Sequence, residues 1–189
     1  MHEHKFDPSK MDRLNNPKRI DIFPVKEVLE ILNLGNPEII VDYGAGTAFF
    51  SKYISEIKPF AKIFALDIEP KMTHWVKVNI SSNYPNIVPL RIEENKIPLE
   101  DNSVDFLFTV SLHHELDNPI DTLNEFRRVL KIGAPIAISD WRKESTQNGP
   151  PIKIRCNPND VQYQINQVGF RNSRIIDKFK NNFLVIAYK

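Results

Sequence analysis

The sequence predicts an α/β fold: a doubly wound, seven-stranded, mostly parallel sheet whose last strand runs antiparallel. Three observations carry this. Short β-branched apolar runs alternate with longer segments of helical period, the pattern of strands joined by crossover helices. No internal repeat or low-complexity linker interrupts the 189 residues, of which 41% are hydrophobic and 26% charged, so residues 1–189 read as one domain with a proper core. The last two apolar runs are separated only by Lys180-Asn181-Asn182, a hairpin-length connection that turns the final strand antiparallel.

Val25 to Leu34 repeats apolar residues at helical spacing and stops at Gly35. Ile39-Ile40-Val41-Asp42-Tyr43 is the first buried strand and runs into Gly44-Ala45-Gly46; Thr47 to Ile57 returns to helical spacing. Lys62 to Asp67 is the second strand, followed by a helix from Lys71 to Ser81 that begins near Pro70. Ile87 to Ile92 is the third, and Pro89 within it marks a sheet edge, because proline has no N–H to give a ladder. Val104 to Val110 is the fourth strand. A helix from Ile120 to Leu130 and then Gly133 lead to the fifth, Ala134 to Ser139. A helix from Asn159 to Val168 ends at Gly169, and Ser173 to Phe179 and Phe183 to Tyr188 complete the sheet. Gly35, Gly133 and Gly169 each stand between a helix and a strand, where left-handed terminators belong.

Lys and Arg number 25 against 24 Asp and Glu, a net charge of +1, which removes bulk electrostatics as a ground for nucleic-acid or anionic-membrane partners. The single cysteine, Cys156, forms no internal disulfide and no all-cysteine metal site, and fits a reducing compartment. No apolar run approaches the roughly 20 residues of a membrane span, and Met1 to Pro8 has no apolar stretch of signal-peptide type. The expectation is a cytoplasmic protein with no nucleic-acid, membrane or metal partner.

Six glycines is a low count, and two of them, Gly44 and Gly46, end no helix. They follow the first strand, where open α/β sheets bind ligands. Two glycines let a ligand approach the backbone, and the next helix offers unpaired N–H groups. A dinucleotide fingerprint would need a small residue at position 49, where this chain has Phe49. Asp42 beside the loop suits a cationic ligand better than a pyrophosphate. Asp67 ends the second strand about 20 residues on, where a carboxylate reaches ribose hydroxyls. A positively charged nucleoside without phosphates describes S-adenosylmethionine (SAM).

The stretches Val41-Asp42-Tyr43-Gly44-Ala45-Gly46-Thr47, Ala65-Leu66-Asp67 and Lys96-Ile97-Pro98-Leu99-Glu100-Asp101-Asn102-Ser103-Val104-Asp105 resemble successive motifs of the class I SAM-dependent methyltransferases, which have a Rossmann-like sheet. The nearest resemblance is to the small-molecule branch described as ubiquinone/menaquinone-biosynthesis methyltransferase-like. Ser111-Leu112-His113-His114-Glu115-Leu116, Leu130-Lys131-Ile132-Gly133-Ala134, Trp141-Arg142-Lys143 through Gly149-Pro150-Pro151, and Gly169-Phe170 continue it in order over most of the chain. The resemblance implies methyl transfer from SAM to a small-molecule acceptor. It puts Gly44 and Gly46, with Asp42 beside them, against the methionine part of SAM, Asp67 on both ribose hydroxyls and Ile68 on the adenine. It has Glu93 accepting from the adenine amino group, the Glu94 N–H facing the ring, and Ser111 completing the set. The family more often has Asp-Ala-Glu where this chain has Glu93-Glu94-Asn95, and a third small residue where it has Ala48-Phe49. The polar first 20 residues, through Phe6-Asp7-Pro8-Ser9-Lys10 and Asn16-Pro17, resemble an arm that lies over the cofactor, which implies a lid.

His113 and His114 follow the fourth strand, where the acceptor would lie. Imidazole titrates near neutrality, so either is a candidate catalytic base or acceptor contact; the alternative is one packed ring and one that bonds the loop. Adjacent side chains rarely converge, which argues against a metal site, even with His2 and His4 on the arm. Tyr43, Phe49 and Trp141 either line the pocket or belong to the core. Arg142, Lys143, Lys153 and Arg155 read as a solvated face, and Cys156 as inert. A non-catalytic SAM-binding protein and an RNA or protein methyltransferase stay open as alternatives, although Thr109-Val110-Ser111-Leu112 lacks the Asn/Asp-Pro-Pro-aromatic run of amino-methylating nucleic-acid enzymes.

Overall fold

The computed structural model describes residues 8–146, 149–179 and 181–189. Among the described residues, five α-helices and seven strands follow in the order α1 (Val25–Ile31), β1 (Ile39–Tyr43), α2 (Phe49–Ile57), β2 (Lys62–Asp67), α3 (Pro70–Asn79), β3 (Ile87–Arg91), β4 (Phe106–Val110), α4 (Pro119–Val129), β5 (Pro135–Trp141), α5 (Pro158–Gln167), β6 (Arg171–Ile176) and β7 (Asn182–Tyr188). They form one sheet in the order β3-β2-β1-β4-β5-β7-β6. The first five strands pair in parallel, and β7 runs antiparallel between β5 and β6. The doubly wound sheet is therefore as the sequence predicts, with Pro89 in an edge strand.

Successive strand residues point to opposite faces, and both faces are buried. On one, Ile40, Ile63 and Phe108 pack with Val28, Ile54 and Val76 of α1, α2 and α3. On the other, Val41, Leu66 and Leu107 pack with Leu123, Phe126 and Ile165 of α4 and α5. This is why the strands read as continuous apolar runs. Helices α3, α4 and α5 each begin with proline at the first position, preceded by Glu69, Asn118 or Asn157, whose side chains accept a backbone N–H. Gly35 is not in the left-handed region; Asn33, at φ 48°, makes that turn after α1, because a short amide side chain tolerates it.

Before α1, residues 8–22 form two 3₁₀ stretches, Pro8–Asn15 and Pro17–Ile22, joined at Asn16, whose Oδ1 accepts the Lys18 N–H at 3.0 Å. Ile22 and Phe23 anchor this arm in the core, and the Ser139 hydroxyl donates to the Ile22 carbonyl at 3.0 Å. His2, His4, Phe6 and Asp7 lie outside the described residues. No helix among the described residues is long and apolar enough to cross a membrane.

Candidate functional site

Strand β1 pairs with β2 on one side and β4 on the other, so the loop at its carboxyl end opens at the switch point of the sheet. Its backbone turns through left-handed conformations at Gly44 (φ 75°), Gly46 (φ 55°) and Ala48 (φ 55°). The N–H groups of Gly44 and Ala45 both donate to the Leu66 carbonyl at 2.9 Å, tying the loop to β2. The Gly46 N–H donates to Asp67 Oδ2 at 2.8 Å, and Asp67 Oδ1 accepts from the Glu69 N–H at 2.9 Å. The two residues that sequence spacing singled out thus meet directly. A carboxylate offers about four lone-pair sites, so Asp67 keeps capacity for two ligand hydroxyls. Burial raises the Asp67 carboxyl above its usual range, against these two N–H groups.

Asp42 lies beneath the loop, fully buried, and accepts the Ser51 hydroxyl from α2 at 2.6 Å. Burial pushes its carboxyl up to about 7, against the Ser51 hydrogen bond and the positive charge of Arg19. Arg19 comes from the N-terminal arm. Its guanidinium lies over the rings of Phe50 (4.8 Å) and Phe49 (5.5 Å) and donates to the Leu14 carbonyl at 2.8 Å. Leu14 in turn lies against Gly46: a Cβ there would come 3.0 Å from Leu14 Cδ1. On the other side, a Cβ at Gly44 would come 2.4 Å from Leu112 Cδ2. Sequence reasoning missed Arg19, Leu14 and Leu112; the one signal for Arg19 was a buried carboxylate at Asp42 in need of a cation.

Ile68 follows Asp67 as a partly exposed apolar side chain. Glu93 is exposed and paired with Lys96 at 2.5 Å, which holds its carboxyl below the usual range. Glu94 turns instead toward the segment after β4, its Oε1 accepting the Asp117 N–H at 3.1 Å. Ser111, just past β4, sits at φ 56° with its Oγ buried and unpartnered, and Thr47 Oγ1 is likewise unpartnered. A non-glycine residue held in this region with its own hydroxyl orphaned marks a place shaped for a ligand. An exposed apolar flank, a carboxylate with spare lone pairs, unpartnered hydroxyls and a glycine backbone fit the adenine, ribose and methionine parts of SAM.

His113 and His114 occupy a 3₁₀ turn after β4, and their rings diverge. His113 Nε2 lies 2.8 Å from Gln164 Oε1 of α5, while its Nδ1 is buried without a partner. His114 Nδ1 lies 2.8 Å from Asp140 Oδ1 of β5, and its backbone N–H donates to Asp140 Oδ2 at 3.0 Å. Both histidines line an open cavity of about 240 Å³ past the carboxyl ends of β4 and β5, together with Cys156, Asp160 and Gln164. Asp140 and Gln164 are further residues the sequence reading did not single out; a carboxylate ending the apolar run Pro135 to Trp141 was the available signal for the first.

Tyr43 and Phe49 belong to the core, Tyr43 edge-on to Phe126 (4.7 Å) and Phe49 edge-on to Phe50 (5.1 Å). Of the expected solvated face, Lys143 and Lys153 are exposed, but Arg142 and Arg155 turn inward. Arg155 is buried over the Trp141 ring at 5.3 Å and donates to the carbonyls of Pro150 (2.8 Å) and Glu144 (2.7 Å), while Arg142 pairs with Asp177. A guanidinium carries five donors, enough to satisfy a loop whose carbonyls would otherwise be stranded. Burial pushes the Cys156 thiol up to about 12, which keeps it protonated and unreactive.

An open α/β sheet with a glycine loop tied to an acidic strand end, and no phosphate fingerprint, suits the class of proteins that bind a nucleoside cofactor. The particular family follows from comparison: the family described as methyltransferase domain matches residues 41–138, just over half the chain. The crystal structure of a SAM-dependent methyltransferase from Aquifex aeolicus superposes with a TM-score of 0.90 at 35% identity, covering 97% of this chain and 98% of that one. A candidate type 11 methyltransferase from Sulfolobus solfataricus gives 0.71 at 28% identity, covering 88% and 91%. An uncharacterized chloroplastic methyltransferase of Arabidopsis thaliana is 26% identical over 100 residues, 50% of this chain, which spans only 28% of that protein's length. The chain belongs to the methyltransferase domain family, and its cofactor is SAM.

Proposed function

We propose that this protein transfers a methyl group from SAM to a small-molecule acceptor seated at the carboxyl ends of β4 and β5. The observation that carries this reading is the 240 Å³ cavity lined by His113 and His114, at the strand ends adjoining the glycine loop. Its size suits a metabolite better than a polymer. Bound SAM supplies an electrophilic methyl group on a sulfonium. The chain's own part is to hold it, with Gly44, Gly46 and Ser111 at the methionine end, Asp67 on the ribose, and Ile68, Glu93 and Glu94 around the adenine. Asp42 stabilises the cationic end from beneath the loop. His113 and His114 face the acceptor as candidate proton-handling groups. The contacts of Leu14 and Arg19 support a lid role for the arm before α1, which excludes water as the acceptor is aligned. The likeness of the motifs to quinone-biosynthesis methyltransferases supports an aromatic acceptor, and the lone cysteine supports a cytoplasmic location.

Incubation with methyl-tritiated SAM and a fractionated cell extract tests the reading. Label should appear in the small-molecule fraction. Label confined to RNA or protein would overturn the acceptor class, and SAM binding without transfer to any fraction would overturn the activity.

A further inference from the structure

Two adjacent histidines with opposite surroundings are an unusual arrangement. Three contacts from two carboxylates engage His114. Asp140, wholly buried in β5, takes its Nδ1 and its backbone N–H on two different oxygens, and Glu115 Oε1 lies 3.6 Å from Nε2. Burial works against charge on this ring, but the Asp140 hydrogen bond and charge, with Glu115, outweigh it and raise the imidazole above its ordinary value. Two carboxylates beside the ring favour its charged form.

His113 is the reverse. It is packed almost entirely out of solvent, and its one polar contact is Nε2 to Gln164 Oε1. An amide oxygen only accepts, so Nε2 carries the proton and the Nδ1 lone pair is bare. No described group satisfies that nitrogen. Burial lowers this imidazole, outweighing Gln164 and the Asp140 charge, and the neighbouring His114 adds to the lowering. Asp160 of α5 and Arg155 are the other charged groups lining the same cavity beside Lys143. A buried unpaired acceptor is costly and calls for an explanation. Pairs of titratable groups driven apart by their surroundings are how acid and base roles divide.

We propose that His113 Nδ1 takes the acceptor's proton, with Gln164 fixing its tautomer, so that the acceptor is a small hydroxyl or thiol compound. This rests on the methyl-transfer reading above. A neutral base is needed where the nucleophile must shed a proton to attack, as a hydroxyl or thiol must; an unprotonated amine already has its lone pair. The X–H proton goes to Nδ1, the electron pair left on X forms the bond to the methyl carbon, and the methyl–sulfur pair stays on sulfur. His113 then returns its proton to solvent. Gln164 touches no substrate and is a positioning residue.

Imidazole nitrogen spectra of the ¹⁵N-histidine-labelled wild-type protein, recorded between about pH 5 and 8, test this without cofactor or acceptor. His113 should have the lower midpoint of the two rings, with its neutral form protonated on Nε2. Gln164→Glu, nearly isosteric, should raise the His113 midpoint, and Gln164→Leu should mix its tautomers. A proton on Nδ1 of His113, or an ordinary midpoint for both rings, overturns the proposal whatever the labelling experiment shows. Where labelled SAM does deliver its methyl group, His113→Gln should slow transfer at least about 100-fold. The low-pH limb of the wild-type rate should track the His113 midpoint and move with Gln164→Glu. A rate indifferent to both variants, or an amine as acceptor, overturns the catalytic half.

Discussion

Replacing Asp42 with asparagine should make the protein's stability much less dependent on pH. In the folded protein this carboxyl titrates at about 7 instead of 3.8, because burial disfavours its charge by more than Ser51 and Arg19 recover. Between those values the folded state holds a proton that the unfolded state has lost. The stability attached to that proton is fully present below 3.8 and is lost as pH rises through 7. A shift of about three units, at about 1.4 kcal/mol each, makes the whole term about 4 kcal/mol. Between about pH 4.5 and 8, where the fold is easier to study, about 3 kcal/mol of it should appear. Asparagine keeps the shape and an acceptor for Ser51 and never ionises. Arg19, lowered by burial to about 10, stays charged over this range, so the loss of its partner is a constant offset. The measurement is urea unfolding of wild type and Asp42→Asn at several pH values. The stability difference should move toward the variant by about 3 kcal/mol from the lowest pH to the highest. A difference that stays flat, or moves the other way, would show that Asp42 is not buried as a strained carboxylate.

The other expectations concern the loop and the thiol. Asp67→Ala removes a carboxylate that bonds Gly46 and that the proposed site puts on the ribose; charged hydrogen bonds contribute about 1.5–3 kcal/mol, so S-adenosylhomocysteine should bind about 10- to 100-fold more weakly by calorimetry. Unchanged affinity would take Asp67 out of the cofactor site. Gly44→Ala puts a side chain at φ 75° and against Leu112, at a cost of roughly 1–2 kcal/mol and a fall in Tm of roughly 2–8 °C. A neutral effect would mean the loop relaxes freely. Cys156, with its thiol raised to about 12, should resist alkylation by iodoacetamide in the native protein at mildly alkaline pH and react only on unfolding, as mass spectrometry of the modified chain would show.

The strands were legible because parallel strands covered on both faces must be apolar throughout, and β1 and β2 have the bounds their apolar runs predict. The glycine loop and Asp67 were legible because a turn that brings backbone close to a ligand leaves few residue choices. Local pattern failed wherever a distant partner decides. Arg142 and Arg155 look like a solvated face in the sequence, yet the 142–155 loop folds back so that its own carbonyls claim the Arg155 guanidinium. Gly35 looks like a helix terminator, yet Asn33 reaches the left-handed region first. The histidines make the point most sharply. His113 and His114 are identical residues one position apart, and no spacing rule distinguishes them. What separates their surroundings is a glutamine 51 residues away on α5 and an aspartate 26 residues away on β5. These partners meet the turn only because β4 and β5 are sheet neighbours and α5 packs on the α4 side of that sheet. Acid–base character at this site is therefore a property of the topology, and substitutions on α5 should retune it as effectively as substitutions in the turn itself.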